Sequence, residues 1–73
     1  MLEWTPVTST CLDQIGFDAE ILTLGCDFCY RGVYVYFNVP ADIFMAFLAA
    51  SSKGKYFDAS IRNVGYSYQK IAP

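Results

Sequence analysis

A chain of 73 residues with formal net charge −2 has room for one small domain, expected to span residues 1–73, and for no second core. Hydrophobic residues make up 55% and charged ones only 16%, which excludes intrinsic disorder, while a pI of about 4.6 argues against a general nucleic-acid binder. With three cysteines and no histidine there are too few ligands for zinc and no ordinary general base near neutral pH, so no metal, cofactor or enzymatic activity is expected.

The start, MLEWTPVTS, has neither a basic region nor an apolar run, and IFMAFLAA is too short to span a bilayer. An odd cysteine count reads as reduced thiols, so a cytoplasmic location without membrane attachment is expected. The 18% aromatic content exceeds what one small domain readily hides and points to self-association or a partner. Charge is uneven: residues 1–30 hold five acidic side chains and no basic one, whereas Arg31, Lys53, Lys55, Arg62 and Lys70 face only Asp42 and Asp58 in residues 31–73. That second part is a surface to which an anion is drawn.

In chain order, residues 12–17 form the first expected strand, with Ile15 and Phe17 on one face. Residues 21–28 alternate, with Leu22, Leu24, Cys26 and Phe28 on one side and Thr23, Gly25 and Asp27 on the other, the pattern of a half-buried antiparallel strand. A hairpin turn at Cys29-Tyr30-Arg31-Gly32 leads to a third strand, 33–39. In it Val33, Val35, Phe37 and Val39 make an aliphatic face read as core, opposite Tyr34 and Tyr36. Pro40 opens a helix over 40–52, with Ile43, Phe44, Phe47, Leu48 and Ser51 on one side and Gly54 as its C-terminal cap. Asp42, Met45, Ala46 and Ala49 share the other side, and Met45, Ala46 and Ala49 are the expected interface of a homo-oligomer. A short helix follows through Phe57 to Asn63, and residues 64–73 read as either an edge strand or a loose end. The expected class is α+β: a three-stranded antiparallel meander with one main helix and a short helical segment packed on one face.

Three motifs invite a functional reading. Cys26-x-x-Cys29 has zinc-ribbon spacing, but strand alternation turns the two thiols apart. Ser52-Lys53-Gly54-Lys55-Tyr56 lacks the first glycine of a phosphate-binding P-loop. What remains is a flexible turn with two lysines, where Lys55 and Arg62 share a face of a regular helix and can hold a phosphate, unless Arg62 pairs with Asp58. Arg31-Gly32 begins like the aromatic RNA-binding strand of an RRM, but Val33 and Tyr34 break that pattern. Tyr34 and Tyr36 either stack on bases or pack with their hydroxyls outward.

The ordered set Ile15-Gly16-Phe17-Asp18, Gly32, Tyr34-x-Tyr36, Val39-Pro40, Ala50, Ser52-x-Gly54-Lys55-Tyr56-Phe57 and Ile61-Arg62 resembles the KTSC domain over about residues 7–70. That family takes its name from the C-terminus of some lysyl-tRNA synthetases and includes free-standing bacterial and phage proteins. The resemblance implies RNA binding, with Tyr34-x-Tyr36 and Gly54 to Phe57 as its central blocks. Phe17 and Asp58 stand where the family pattern leads one to expect tyrosine and asparagine, and Asp58 adds a negative charge beside the anion site. Two functions are therefore expected. One is a small non-catalytic module that binds RNA or a nucleotide through Tyr34, Tyr36, Lys53, Gly54, Lys55, Tyr56 and Arg62. The other is a protein-interaction or oligomerisation module, such as a phage accessory protein acting on a host factor.

Overall fold

Alternation across 23–28 places Leu24 and Cys26 under a helical layer, fully buried, as expected for a strand with one core face. The computed structural model describes residues 1–73 and has five antiparallel strands in simple order: β1 (Glu3–Pro6), β2 (Leu12–Asp18), β3 (Thr23–Phe28), β4 (Gly32–Tyr36) and β5 (Tyr68–Ala72). Between β4 and β5 lie α1 (Ala41–Ala49), α2 (Lys53–Phe57) and a π-helical segment, Asp58–Arg62. The α+β class holds, but the sheet has two strands more than the expected meander.

Both additional strands are edges, and each has a physical reason to be obscure in the sequence. Strand β1 is four residues long and mostly exposed. Its anchor is Trp4, opposite Gly16 in register, whose ring lies over Gly16 and Gly25. A Cβ on Gly25 would stand 2.7 Å from Trp4 Cη2, so the two glycines form the slot that seats the indole. Strand β5 resolves the undecided tail as an edge strand, pairing Tyr68 with Tyr36 and Lys70 with Tyr34. The register shifts between Val33 and Tyr34, opposite Ala72 and Lys70, so the exposed edge carries a bulge at Ile71. Where β5 ends against the β3–β4 hairpin, Gly32 has φ +92° and a Cβ there would sit 2.3 Å from the Ala72 carbonyl oxygen. Both conditions demand glycine.

The expected orientation of β4 is reversed. Tyr34 and Tyr36, beside Cys26 and Leu24, face the helices, while Val35 lies opposite Gly25 on the Trp4 side. The helices supply aromatic partners on the tyrosine face: Phe57 meets Tyr36 edge-on at 5.6 Å and Phe28 at 5.1 Å. The aliphatic face has only Trp4 and its neighbours to cover it, and Val35 is buried there.

Helix α1 packs Ile43, Phe44, Phe47 and Leu48 on the core, as its periodicity indicates, and leaves Asp42, Met45, Ala46 and Ala49 exposed. It ends earlier than expected. Ala50 is extended, and Ser52 starts a new helix by accepting the Lys55 amide at 3.4 Å. Gly54 is therefore inside α2 rather than capping α1, at a point where a Cβ would lie 3.3 Å from Cys11 Sγ. No helix is long and apolar enough to cross a membrane.

Candidate functional site

Two chain segments far apart in sequence make the main cleft. The β3–β4 hairpin and the start of β5 form one wall, and α2 with the π-helical segment forms the other. A bulge at Asp13 interrupts the register near the start of β2, and Thr10 and Cys11, just before that strand, complete the lining. The cleft holds about 730 Å³ and is lined by Tyr30, Tyr34, Tyr36, Tyr66 and Tyr68, by Arg31, Arg62 and Asp58, and by Phe28, Phe57 and Ile61. That volume suits a small organic ligand. A shallower depression of about 300 Å³ between β1 and α1 carries Glu3 as its one charged group.

Of the seven sequence-derived ligand residues, Tyr34, Tyr36, Gly54 and Arg62 line the cleft, and Lys53, Lys55 and Tyr56 do not. Lys53 Nζ donates to the Ala50 carbonyl at the end of α1, and Lys55 is exposed. Tyr56 donates its hydroxyl to the Ile43 carbonyl at 3.0 Å and stacks on Phe47 at 5.4 Å, fastening α2 to α1. The bond from Asn63 N to Asp58 O, at 3.1 Å, closes a turn one residue wider than α. Seven-residue spacing would align Lys55 with Arg62 on a regular helix, and the wide turn breaks that alignment. Arg62 instead meets Asp58 at 3.7 Å, both side chains being largely exposed, a pairing of small energetic worth.

The tyrosines both pack and line the opening. Tyr36 lies 5.5 Å from Tyr68, and Tyr34 lies 5.7 Å from Phe28 and 6.2 Å from Tyr68. Lys70 Nζ stands 5.9 Å over the Tyr34 ring, within cation–π range. Burial pushes the Tyr36 hydroxyl up to about 12, helped by Cys26 and by Tyr68 and Tyr34, with Arg62 opposing, so it stays protonated at neutral pH. Arg31 makes no ion pair within the protein. Tyr30, Arg31, Tyr66 and Tyr68 are among the cleft residues that the sequence reading missed. The recurrence of Tyr-x-Tyr at 66–68, echoing 34–36, was the available signal.

The cysteines do other work. Cys26 is fully buried, and burial, aided by nearby Cys11, drives its thiol far up. Cys29 is half-buried and donates from Sγ to Asp13 Oδ1 at 3.3 Å; desolvation first, then this bond, raises its pKa. No three His, Cys, Asp or Glu side chains converge in a way that could hold a metal ion.

The KTSC domain model matches residues 8–68. The chain belongs to the KTSC domain family. Its structure is similar to the crystal structure of a KTSC domain protein from Yersinia pestis, with TM-score 0.93 and 32% identity, over 97% of this chain and 99% of that one. It is also 32% identical over 63 residues to an uncharacterised protein of Stutzerimonas stutzeri, covering 86% of this chain and 89% of the relative. A protein of Tsukamurella paurometabola is 30% identical over 57 residues, 78% of this chain and 85% of that protein. Within this KTSC domain the Gly54 to Phe57 block has a structural explanation: Gly54 admits Cys11, Tyr56 ties the helices and Phe57 floors the cleft. Asp18 holds the β2–β3 turn by accepting the Glu20 amide at 3.0 Å and also meets the Met1 ammonium.

Proposed function

We propose that this KTSC domain is a non-catalytic binding module for a nucleotide-type ligand, as a free nucleotide or as part of an RNA, taken in the tyrosine cleft. The observation that carries this reading is the convergence of five tyrosines with Arg31 and Arg62 around one opening. Stacking of a base on an aromatic ring contributes about 1–3 kcal/mol, and a guanidinium donates charge-assisted hydrogen bonds to phosphate. Against several kcal/mol for immobilising the ligand, these contacts support affinity in the micromolar range. Arg31 and Arg62 are the phosphate donors, and Lys53 and Lys55 add only longer-range attraction from outside the lining. Asp58 offsets one of the two arginine charges, which favours a small ligand over a long polyanion.

Calorimetric titration with mononucleotides and with short single-stranded RNA, at low and moderate salt, tests this. Binding that Arg31→Glu and Arg62→Glu each weaken at least tenfold in folded protein supports the cleft, and intact binding in the double variant sinks it. A steep loss with salt for RNA alone identifies the polymer as the ligand.

A second reading, interaction with a protein or a second copy, has its own observation: Met45 is 62% exposed on α1, beside exposed Ala46 and Ala49. Small residues around one flexible methionine permit close approach of another surface.

A further inference from the structure

The cleft has a floor and a rim of different chemistry, which sets the direction in which a ligand enters. On the floor, Phe57, Ile61 and Tyr36 are respectively 7%, 1% and 8% exposed, so its surface is almost wholly apolar ring and aliphatic carbon. The one polar group offered there by a buried side chain is the Tyr36 hydroxyl. It has no hydrogen-bond partner within the protein, and since no buried side-chain polar atom is left without one, the hydroxyl is reached by solvent through the opening. At the rim, by contrast, Tyr30 is 94% exposed and the Arg62 side chain 69% exposed.

A phosphate driven to the floor would lose its water among phenylalanines, with no buried cation beside it, at a large cost. A flat heterocycle loses little there, gains ring contacts and can take the place of water at the Tyr36 hydroxyl. We propose that the ligand enters ring-first, that the Tyr36 hydroxyl reads a polar atom on the edge of a heterocyclic base, and that the phosphate stays at the rim on Arg31 and Arg62. This rests on the cleft-binding reading above and adds its polarity and its specificity-determining residue. Protonated at neutral pH, the hydroxyl serves as donor or acceptor.

The test compares the four mononucleotides with phenyl phosphate, which offers a ring and a phosphate but no polar ring edge, against wild-type protein and Tyr36→Phe. That variant keeps the ring and its packing on Phe57 and Tyr68. The expected result is that at least one mononucleotide binds wild type about tenfold more tightly than phenyl phosphate, the worth of one good buried hydrogen bond. Tyr36→Phe should erase that preference by weakening the nucleotide alone. If Tyr36→Phe weakens both probes alike, or neither, while Arg62→Gln still weakens nucleotide binding, the ring-first inference is overturned and the cleft-binding reading stands. Absence of binding by every probe at millimolar concentration overturns both. The wild-type comparison needs no variant: phenyl phosphate binding as tightly as every mononucleotide overturns the inference even if Tyr36→Phe does not fold.

Discussion

Gly25→Ala probes the seat of β1 directly. The added Cβ would lie 2.7 Å from Trp4 Cη2, 3.2 Å from Trp4 Cζ2 and 3.2 Å from Leu2 Cδ1, so the indole must lift or the strands must part. Overpacking of this kind typically costs about 1–3 kcal/mol. Replacing a strand glycine with alanine returns about 0.5–1 kcal/mol by restricting the unfolded chain. The net expectation is a loss of about 0–2.5 kcal/mol, centred near 1. For a domain of this size each kcal/mol lowers Tm by about 4–8 °C. The chain has a single tryptophan, so its emission reports the displacement without labelling, as a red shift in the folded baseline. The discriminating measurement is a double-mutant cycle with Trp4→Ala. Once the ring is gone, Gly25→Ala should be neutral or stabilising, leaving a coupling of at least about 1 kcal/mol. An unchanged Tm and emission in Gly25→Ala, or the same loss in both backgrounds, would refute the slot.

Gly32→Ala should be more damaging, because a positive φ and the Ala72 carbonyl both oppose it; chemical denaturation should show β5 and the hairpin weakened together. Stability should fall at alkaline pH: Tyr36, raised from 10.0 to about 12, holds its proton in the fold, so its contribution is complete below pH 10 and lost as pH rises toward 12. Tyr36→Phe should flatten that alkaline limb, and an unchanged limb would contradict the raised pKa of Tyr36. Asp18 is depressed by hydrogen bonds from the Met1 ammonium and the turn amides, so its stabilisation is present above the ordinary carboxylate range and lost as pH falls through its lowered pKa. An Asp18→Asn variant should lose part of this acid sensitivity in a pH series of thermal melts. Sedimentation at high micromolar concentration should show self-association that Ala46→Glu weakens; monomer throughout would remove the oligomerisation reading.

What could be read from the sequence followed how local each signal was. The core face of β3 was plain because Leu24, Cys26 and Phe28 alternate with Gly25 and Asp27. The buried side of α1 was likewise set by Ile43, Phe44, Phe47 and Leu48. Strand β4 gave no such cue, since both of its faces are apolar or aromatic, and its direction depends on partners brought by distant helices. Strand β1 depends on one tryptophan finding two glycines on different strands, a long-range fit with no periodicity. The candidate site divides in the same way. Of the expected ligand residues, Tyr34, Tyr36, Gly54 and Arg62 line the cleft, whereas the lysines were placed by assuming regular helical spacing through a π-turn. Arg31 and Tyr68 join them only when the hairpin and β5 close on that turn.

The most direct measurement is an amide NMR titration of the labelled protein with mononucleotides at low salt, because its glycines report on both faces of the sheet. Gly54 and Gly65 line the cleft, whereas Gly16 and Gly25 lie beneath Trp4 on the opposite side. The expected result is saturable shifts at Gly54, Gly65, Arg31 and Asp58, with Gly16 and Gly25 unmoved. No shifts at millimolar nucleotide, or shifts centred on Gly16, Gly25 or the outer side of α1, would contradict a nucleotide-binding cleft.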